Sequence, residues 1–362
     1  MRTTAAPVLT NPQVFYLLLV DTFPTEVFLL PGPLIDEAGK DAVWCILLGT
    51  AGACLTALVT SRVLSRLDPG PFDRAVLRRG GAWGRLILVA FALAVLLPLD
   101  NIWGGYGQFV RAAILVHTPV WAVVLPALLV VVYAVPLDLG GVGRLAQLAV
   151  PWGILLIVVL FLLAAPWYAM DNLMPLLPTA NVAWGSYQVF SFLSEVVFAL
   201  YLASLSSRRA EAARALVGAP LVNGLLVLLL TAMPILLFGP TPAAMMNAPG
   251  MSAIRAIHYG FVVERLDTFV QPVWVIFVIL KLLLWTMLGA RLLAAALGIR
   301  WWAQIGRVAT AAAALLSLHL YHLVAVERNV GTLWYRLGAP LLLAVLVASA
   351  ILFRPRRSLA PA

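Results

Sequence analysis

Ten long apolar segments, joined by loops that alternate between basic and charge-poor, constrain this chain more than any other feature. They fall near 13–34, 42–61, 86–110, 119–137, 145–166, 182–205, 215–238, 268–290, 303–325 and 333–353. One set of loops (the N-terminus, 62–85, 138–144, 206–214, 291–302 with Arg307, and the C-terminus) holds 17 of the 24 Lys and Arg residues. The other set holds six: Lys40, Arg111, Arg255, Arg265, Arg328 and Arg336; Lys281 lies inside a segment. Lys and Arg stay on the cytoplasmic side during insertion, so this bias places both termini in the cytosol. An even number of spans requires the same arrangement.

Composition agrees. Hydrophobic residues make up 63% of the chain and charged residues 11%, too apolar for a surface in water. Crossing the hydrocarbon core takes about 20 residues at 1.5 Å each. Inside lipid every backbone polar group needs an internal partner, so runs of this length form helices. The net charge of +9 then reads as anchoring beside anionic headgroups, not as a nucleic-acid footprint. The first segment has no basic n-region beyond Arg2 and runs into Pro31-Gly32-Pro33, so it counts as a span rather than a cleavable signal. Cys45 and Cys54 sit nine residues apart in one expected helix, ~13 Å along its axis, too far for a disulfide.

The expectation is one polytopic membrane domain over residues 1–362. The loop from Arg62 to Arg85 carries six arginines around Pro69-Gly70-Pro71 and is too short to fold alone. The segment about 249–267 places Ile254, Ile257 and Phe261 on one helical face, as a helix lying on the membrane surface would. A connector without function fits the same pattern.

Charges inside a membrane are costly, which makes each intramembrane ionisable group a functional candidate. The set is Asp21 and Glu26 in span 1, Asp100 in span 3, Glu195 in span 6 and Lys281 in span 8. Span 1 contains Asp21-Thr22-Phe23-Pro24-Thr25-Glu26. A proline there removes a backbone donor, so an interrupted helix with exposed carbonyls is expected, or else a kink whose carboxylates pair with neighbours. In span 6, Ser191, Ser194 and Glu195 fall at i, i+3 and i+4 and face one way, for ligand contact or for close helix packing. Span 3 offers Asp100, Asn101 and Tyr106 among Gly104, Gly105 and Gly107. Lys281 needs a carboxylate partner, with Asp21, Asp100 and Glu195 available, in a structural pair or a ligand site.

The expected ligand-binding set is therefore Asp21, Thr22, Pro24, Thr25, Asp100, Tyr106, Ser191, Ser194, Glu195 and Lys281. No catalytic set emerges: the chain has no HExxH, no Gly-rich phosphate loop and no nucleophile elbow, so neither an enzyme nor a cofactor is expected. His319 and His322, at i and i+3, lack a third ligand and make a weak metal signal.

Residues Arg255-Ala-Ile-His-Tyr-Gly-Phe-Val-Val-Glu264-Arg265-Leu-Asp267, with Trp274 following, resemble the spore germination permease family. This family comprises the B subunits of nutrient germinant receptors, within the amino acid–polyamine–organocation superfamily. Asn172-Leu-Met-Pro175, Ser194-Glu195 and the acidic turn from Asp36 to Trp44 are similar to the same family. The resemblance implies an all-α integral membrane fold of ten transmembrane helices. These would form two inverted five-helix repeats (about 11–166 and 182–353) with helices 1 and 6 interrupted. It also implies a subunit of the spore inner membrane that senses a small germinant, typically an amino acid. Its partners would be A-type and C-type receptor subunits. The chain departs from the family in span 1, where Asp21-Thr22-Phe23-Pro24-Thr25 replaces a Gly-containing break. The alternative function is a proton-coupled secondary transporter of amino acids or organic cations on the same fold.

Overall fold

The computed structural model describes residues 9–115, 117–174, 178, 182–206, 208–246, 248–259, 265–320 and 324–354, without the side chains of 25–29, 112, 113, 214 and 324–335. Among them every regular element is helical, and Leu9 forms an isolated parallel bridge with Ser206. The first half runs α1 (Asn11–Leu29), α2 (Pro31–Ala38), α3 (Ala42–Ser65), α4 (Phe72–Gly80), α5 (Ala82–Leu96), α6 (Leu99–Ala113), α7 (Val120–Ala134) and α8 (Leu139–Ala164). The second runs α9 (Val182–Leu193), α10 (Ala199–Leu202), α11 (Arg209–Ala215), α12 (Gly218–Phe238), α13 (Pro240–Ala244), α14 (Pro249–Ala256), α15 (Asp267–Leu297), α16 (Trp302–Leu320) and α17 (Val324–Leu352).

Helix ends follow the breakers. Pro31 opens α2, where a missing N–H costs nothing. Gly298 closes α15 in the left-handed region at φ 71°, a conformation that a side chain resists. Among the described residues seven stretches are long and apolar enough to cross a membrane: Pro31–Ser65, Ala82–Arg111, Leu139–Trp167, Val182–Leu205, Arg209–Phe238, Asp267–Leu297 and Trp302–Leu320. α7 falls short: its 15 residues rise about 22 Å against a hydrocarbon core of about 30 Å. Length alone therefore supports a multi-pass membrane protein and not a count of ten.

Three expectations are corrected. α1 is one helix through Asp21, Thr22 and Pro24, not an interrupted one. Pro24 removes only its own donor, to Val20, and the turns on either side keep theirs. Helix 3 does break: α5 ends at Leu96 and α6 begins at Leu99, with Pro98 between. The helix over 249–267 stops at Ala256, because Ile257 turns extended at ψ 115°. Ile254 and Ile257 are buried in the protein rather than laid on a membrane, and Phe261 lies outside the described residues.

α15 forms the axis of the bundle, packed by α5, α16, α1, α8 and α6. α1 lies against α8, α12 and α15, so α1 and α15 meet at the centre. Close approach there depends on small residues. A Cβ on Gly153 of α8 would sit 2.7 Å from the ring of Phe277, which is itself packed on Phe23 of α1. On the far side α3 and α9 meet at Gly49, where a Cβ would come within 2.6 Å of Val189.

Candidate functional site

The chain of helix 6 leaves α-helical geometry between α9 and α10. Residues Ser194–Phe198 form 3-10 turns without any Gly or Pro, and Ser194 donates its hydroxyl to the Ser191 carbonyl at 2.6 Å. A hydroxyl that bonds its own preceding turn competes with the helical ladder, which is one local reason for the tighter winding. This places Glu195 on the inner face, 2% exposed.

Lys281 of α15 meets it. Its Nζ donates to Glu195 Oε2 at 3.0 Å, with the two side chains 1% and 3% exposed. One turn further along α15, Trp285 donates its Nε1–H to Asp21 Oδ1. The Lys281 ammonium also lies 4.7 Å from the Trp285 ring centroid, a cation–π distance. The Asp21 and Glu195 carboxyls are within hydrogen-bonding reach of each other. No donor among the described residues reaches Asp21 Oδ2, and Asp21 is 1% exposed. Helices 1, 6 and 8 of the sequence thus contribute one charged residue each to a dry centre.

Aromatic layers close the cluster along α15. Before Lys281, Trp274 donates to the Pro24 carbonyl at 2.7 Å and packs on Phe109 and Tyr106, while Phe277 packs on Phe23. After it, Trp285 meets Phe198 edge-on at 5.2 Å between centroids. Phe198 packs on Phe91 at 5.8 Å, and Phe91 on Phe72 of α4 at 5.9 Å. The Phe72 N–H ends this ring column on the Ser204 hydroxyl at 2.8 Å.

Of the expected ligand set, Asp21, Glu195 and Lys281 come together. Thr22 lies beside them but bonds its own helix through the Leu18 carbonyl and accepts from Asn223 Nδ2 of α12. Pro24 contributes its carbonyl to Trp274, as above. Ser194 serves its own turn, and Ser191 is buried on α9. Asp100 sits apart in the first turn of α6, one carboxyl oxygen buried without a partner among the described residues. Tyr106 lines the aromatic layer one shell out. The side chains of Thr25 and Glu26 lie outside the described residues, as do His322, Glu264 and Pro175. Trp285 and Asn223 were not anticipated. Asn223 is the one amide in a stretch of apolar residues, a signal of the same kind as Lys281.

Among the described residues no group of three His, Cys, Asp or Glu side chains could hold a metal ion. What the cluster can do is hold positive charge: two carboxyls face one ammonium.

The family described as spore germination protein matches residues 8–305. A manganese transporter of Eremococcus coleocola, solved with an aromatic bis-isothiourea substituted compound, superposes with TM-score 0.61 at 13% identity. That match covers 94% of this chain and 76% of that one. Two single-substitution variants of the same transporter superpose at 0.59 and 12% identity, with the same coverage. At such identity the likeness concerns the fold. No curated protein sequence matches the chain.

Proposed function

This chain belongs to the spore germination protein family, and from that premise we propose that it is a transporter-like membrane subunit that binds a small nutrient and signals germination. The observation that carries the proposal is the meeting of Asp21, Glu195 and Lys281 between α1, the 3-10 turns of helix 6 and α15, with Asp21 Oδ2 meeting no donor among the described residues. Intramembrane charges gathered on three helices cost more than a scaffold needs, and such groups mark ligand pathways. In this proposal the polar ends of an amino-acid-like ligand meet Asp21, Glu195 and Lys281. Thr22, Ser191, Ser194 and the Pro24 carbonyl border that pocket, Thr25 is assigned to it from the sequence alone, and Asp100 and Tyr106 stand further out.

The wider architecture belongs to the same proposal: ten spans in two inverted five-helix repeats, both termini cytosolic, in the spore inner membrane beside A-type and C-type subunits. Support comes from the basic loop bias in the sequence and from superposition over nearly the whole chain on a transporter. Ligand binding would favour one arrangement of the bundle by its differential affinity, and the partners would read that shift.

The transporter likeness favours a second reading, in which the solute crosses. A thermal-shift screen of the purified chain against amino acids, sugars and nucleosides tests binding. A ligand that stabilises wild type and not Asp21→Asn supports the pocket; no response across the panel, or one untouched by Asp21→Asn, sinks it. Uptake of that ligand into proteoliposomes separates the transporter from the sensor.

A further inference from the structure

The charge balance of the central cluster points to an occupant that the nutrient does not supply. Asp21 and Glu195 bring two negative charges and Lys281 one positive. Each carboxyl has one oxygen assigned: Glu195 Oε2 to Lys281, and Asp21 Oδ1 to Trp285. The two carboxyls nevertheless lie within hydrogen-bonding reach of each other, and Asp21 Oδ2 meets no donor among the described residues. Two ionised carboxylates so placed repel, and burial removes the water that would screen them.

Among the described residues no second cation is bonded to Asp21 or Glu195. Glu195 and Lys281 are the charges that bear on Asp21. α12 contains no charged residue; its Asn223 donates Nδ2 to Thr22, and its Oδ1 meets no donor among the described residues. α8 holds one charged residue, Arg144, exposed near its N-terminal end. Trp285, Thr22 and Ser194 adjoin the two carboxyls, and both hydroxyls are bonded to carbonyls of their own helices. A hard metal cation takes a shell of oxygen ligands, and among the described residues no group of three His, Cys, Asp or Glu side chains is gathered to hold one. A hydrogen needs only the two oxygens already facing each other.

We propose that Asp21 and Glu195 form an intramembrane proton-binding site, in which one proton shared between their carboxyl oxygens makes the Asp21–Glu195–Lys281 cluster neutral. The O–H stays on one carboxyl and donates to the other, and no other bond changes. When α1 parts from the turns of helix 6, that hydrogen bond breaks. The proton then leaves to water, or a cationic group takes its place on Asp21. Motion of α1 is thereby tied to one proton. The site uses residues of the pocket proposed above, but it stands whether or not a nutrient binds there.

Infrared spectroscopy of the full chain in lipid nanodiscs at neutral pH, in potassium and in sodium buffer, tests the assignment. Wild type should show a protonated-carboxyl C=O band with the intensity of one group that disappears in Asp21→Asn and equally in Glu195→Gln. Each substitution leaves one carboxylate opposite Lys281, with no proton to share. Lys281→Met should double that intensity, because both carboxyls must then be neutral. The exposed control Asp171→Asn should leave it unchanged. Any one folded variant suffices to decide. A band untouched by Asp21→Asn or Glu195→Gln, or unchanged in Lys281→Met, overturns the proposal. So does a band that vanishes in sodium and returns in potassium, which would identify a sodium site. Nutrient-induced thermal shifts are read separately, so failure of the proton site and failure of the nutrient pocket are distinguishable.

Discussion

α15 carries two buried carboxylate clusters about 21 Å apart along its axis, and their charge balances are opposite. At its first residue, Asp267 accepts from Arg255 Nε at 3.1 Å, from Arg265 at 3.1 Å and from Gln271 Nε2 at 3.1 Å. One carboxylate there faces two guanidiniums that are 44% and 71% exposed. The surplus positive charge is hydrated, and Asp267 holds the Arg265 guanidinium charged to higher pH than usual. At Lys281 the surplus is negative and both partners are buried, away from bulk solvent. The end of the helix can be over-supplied with partners at little cost. The middle cannot be under-supplied without something else binding.

The largest test of that contrast is Lys281→Met. Leaving buried carboxyls without their cation is expected to destabilise the chain by about 3–5 kcal/mol in detergent unfolding. The double variant Lys281→Met/Glu195→Gln should be more stable than the single one. A Lys281→Met protein no weaker than Asp267→Asn would break the comparison. Next comes Trp285→Phe, which keeps the ring column but removes the donor to Asp21; a loss of about 1–3 kcal/mol is expected, with Asp21→Asn cancelling most of it. Asp267→Asn itself should cost less, about 1–2 kcal/mol, since its arginines return to water when released. The smallest effect is salt. Raising ionic strength should weaken the Asp267 cluster by under about 1 kcal/mol and leave the Lys281 cluster unmoved, so the salt response should vanish in Asp267→Asn.

The need for a partner at Lys281 was legible in the sequence, and its identity was not. Asp21, Asp100 and Glu195 were equal claimants, because the order of helices around a bundle is a tertiary fact. The structure selects Glu195 with Asp21 beside it and leaves Asp100 on α6. The helix breaks show the same divide. Pro24 looked like an interruption, yet α1 continues, because one lost hydrogen bond is tolerated inside a packed bundle. Ser194–Phe198 has no breaker residue and still winds as 3-10 turns, held by Ser194 on Ser191 and by contacts of these turns with α3, α17 and α1. Trp285 is not legible in the sequence, because an aromatic in an apolar helix carries no mark of its indole donor.

The edge-on and tilted rings from Trp285 through Phe198 and Phe91 to Phe72 join the buried charged cluster to α4, a short basic helix between two spans. Close-packed interiors deform little, so an indole displaced at Asp21 cannot be absorbed silently along that column. Whatever shifts that indole is therefore felt first by Phe198, the ring it touches.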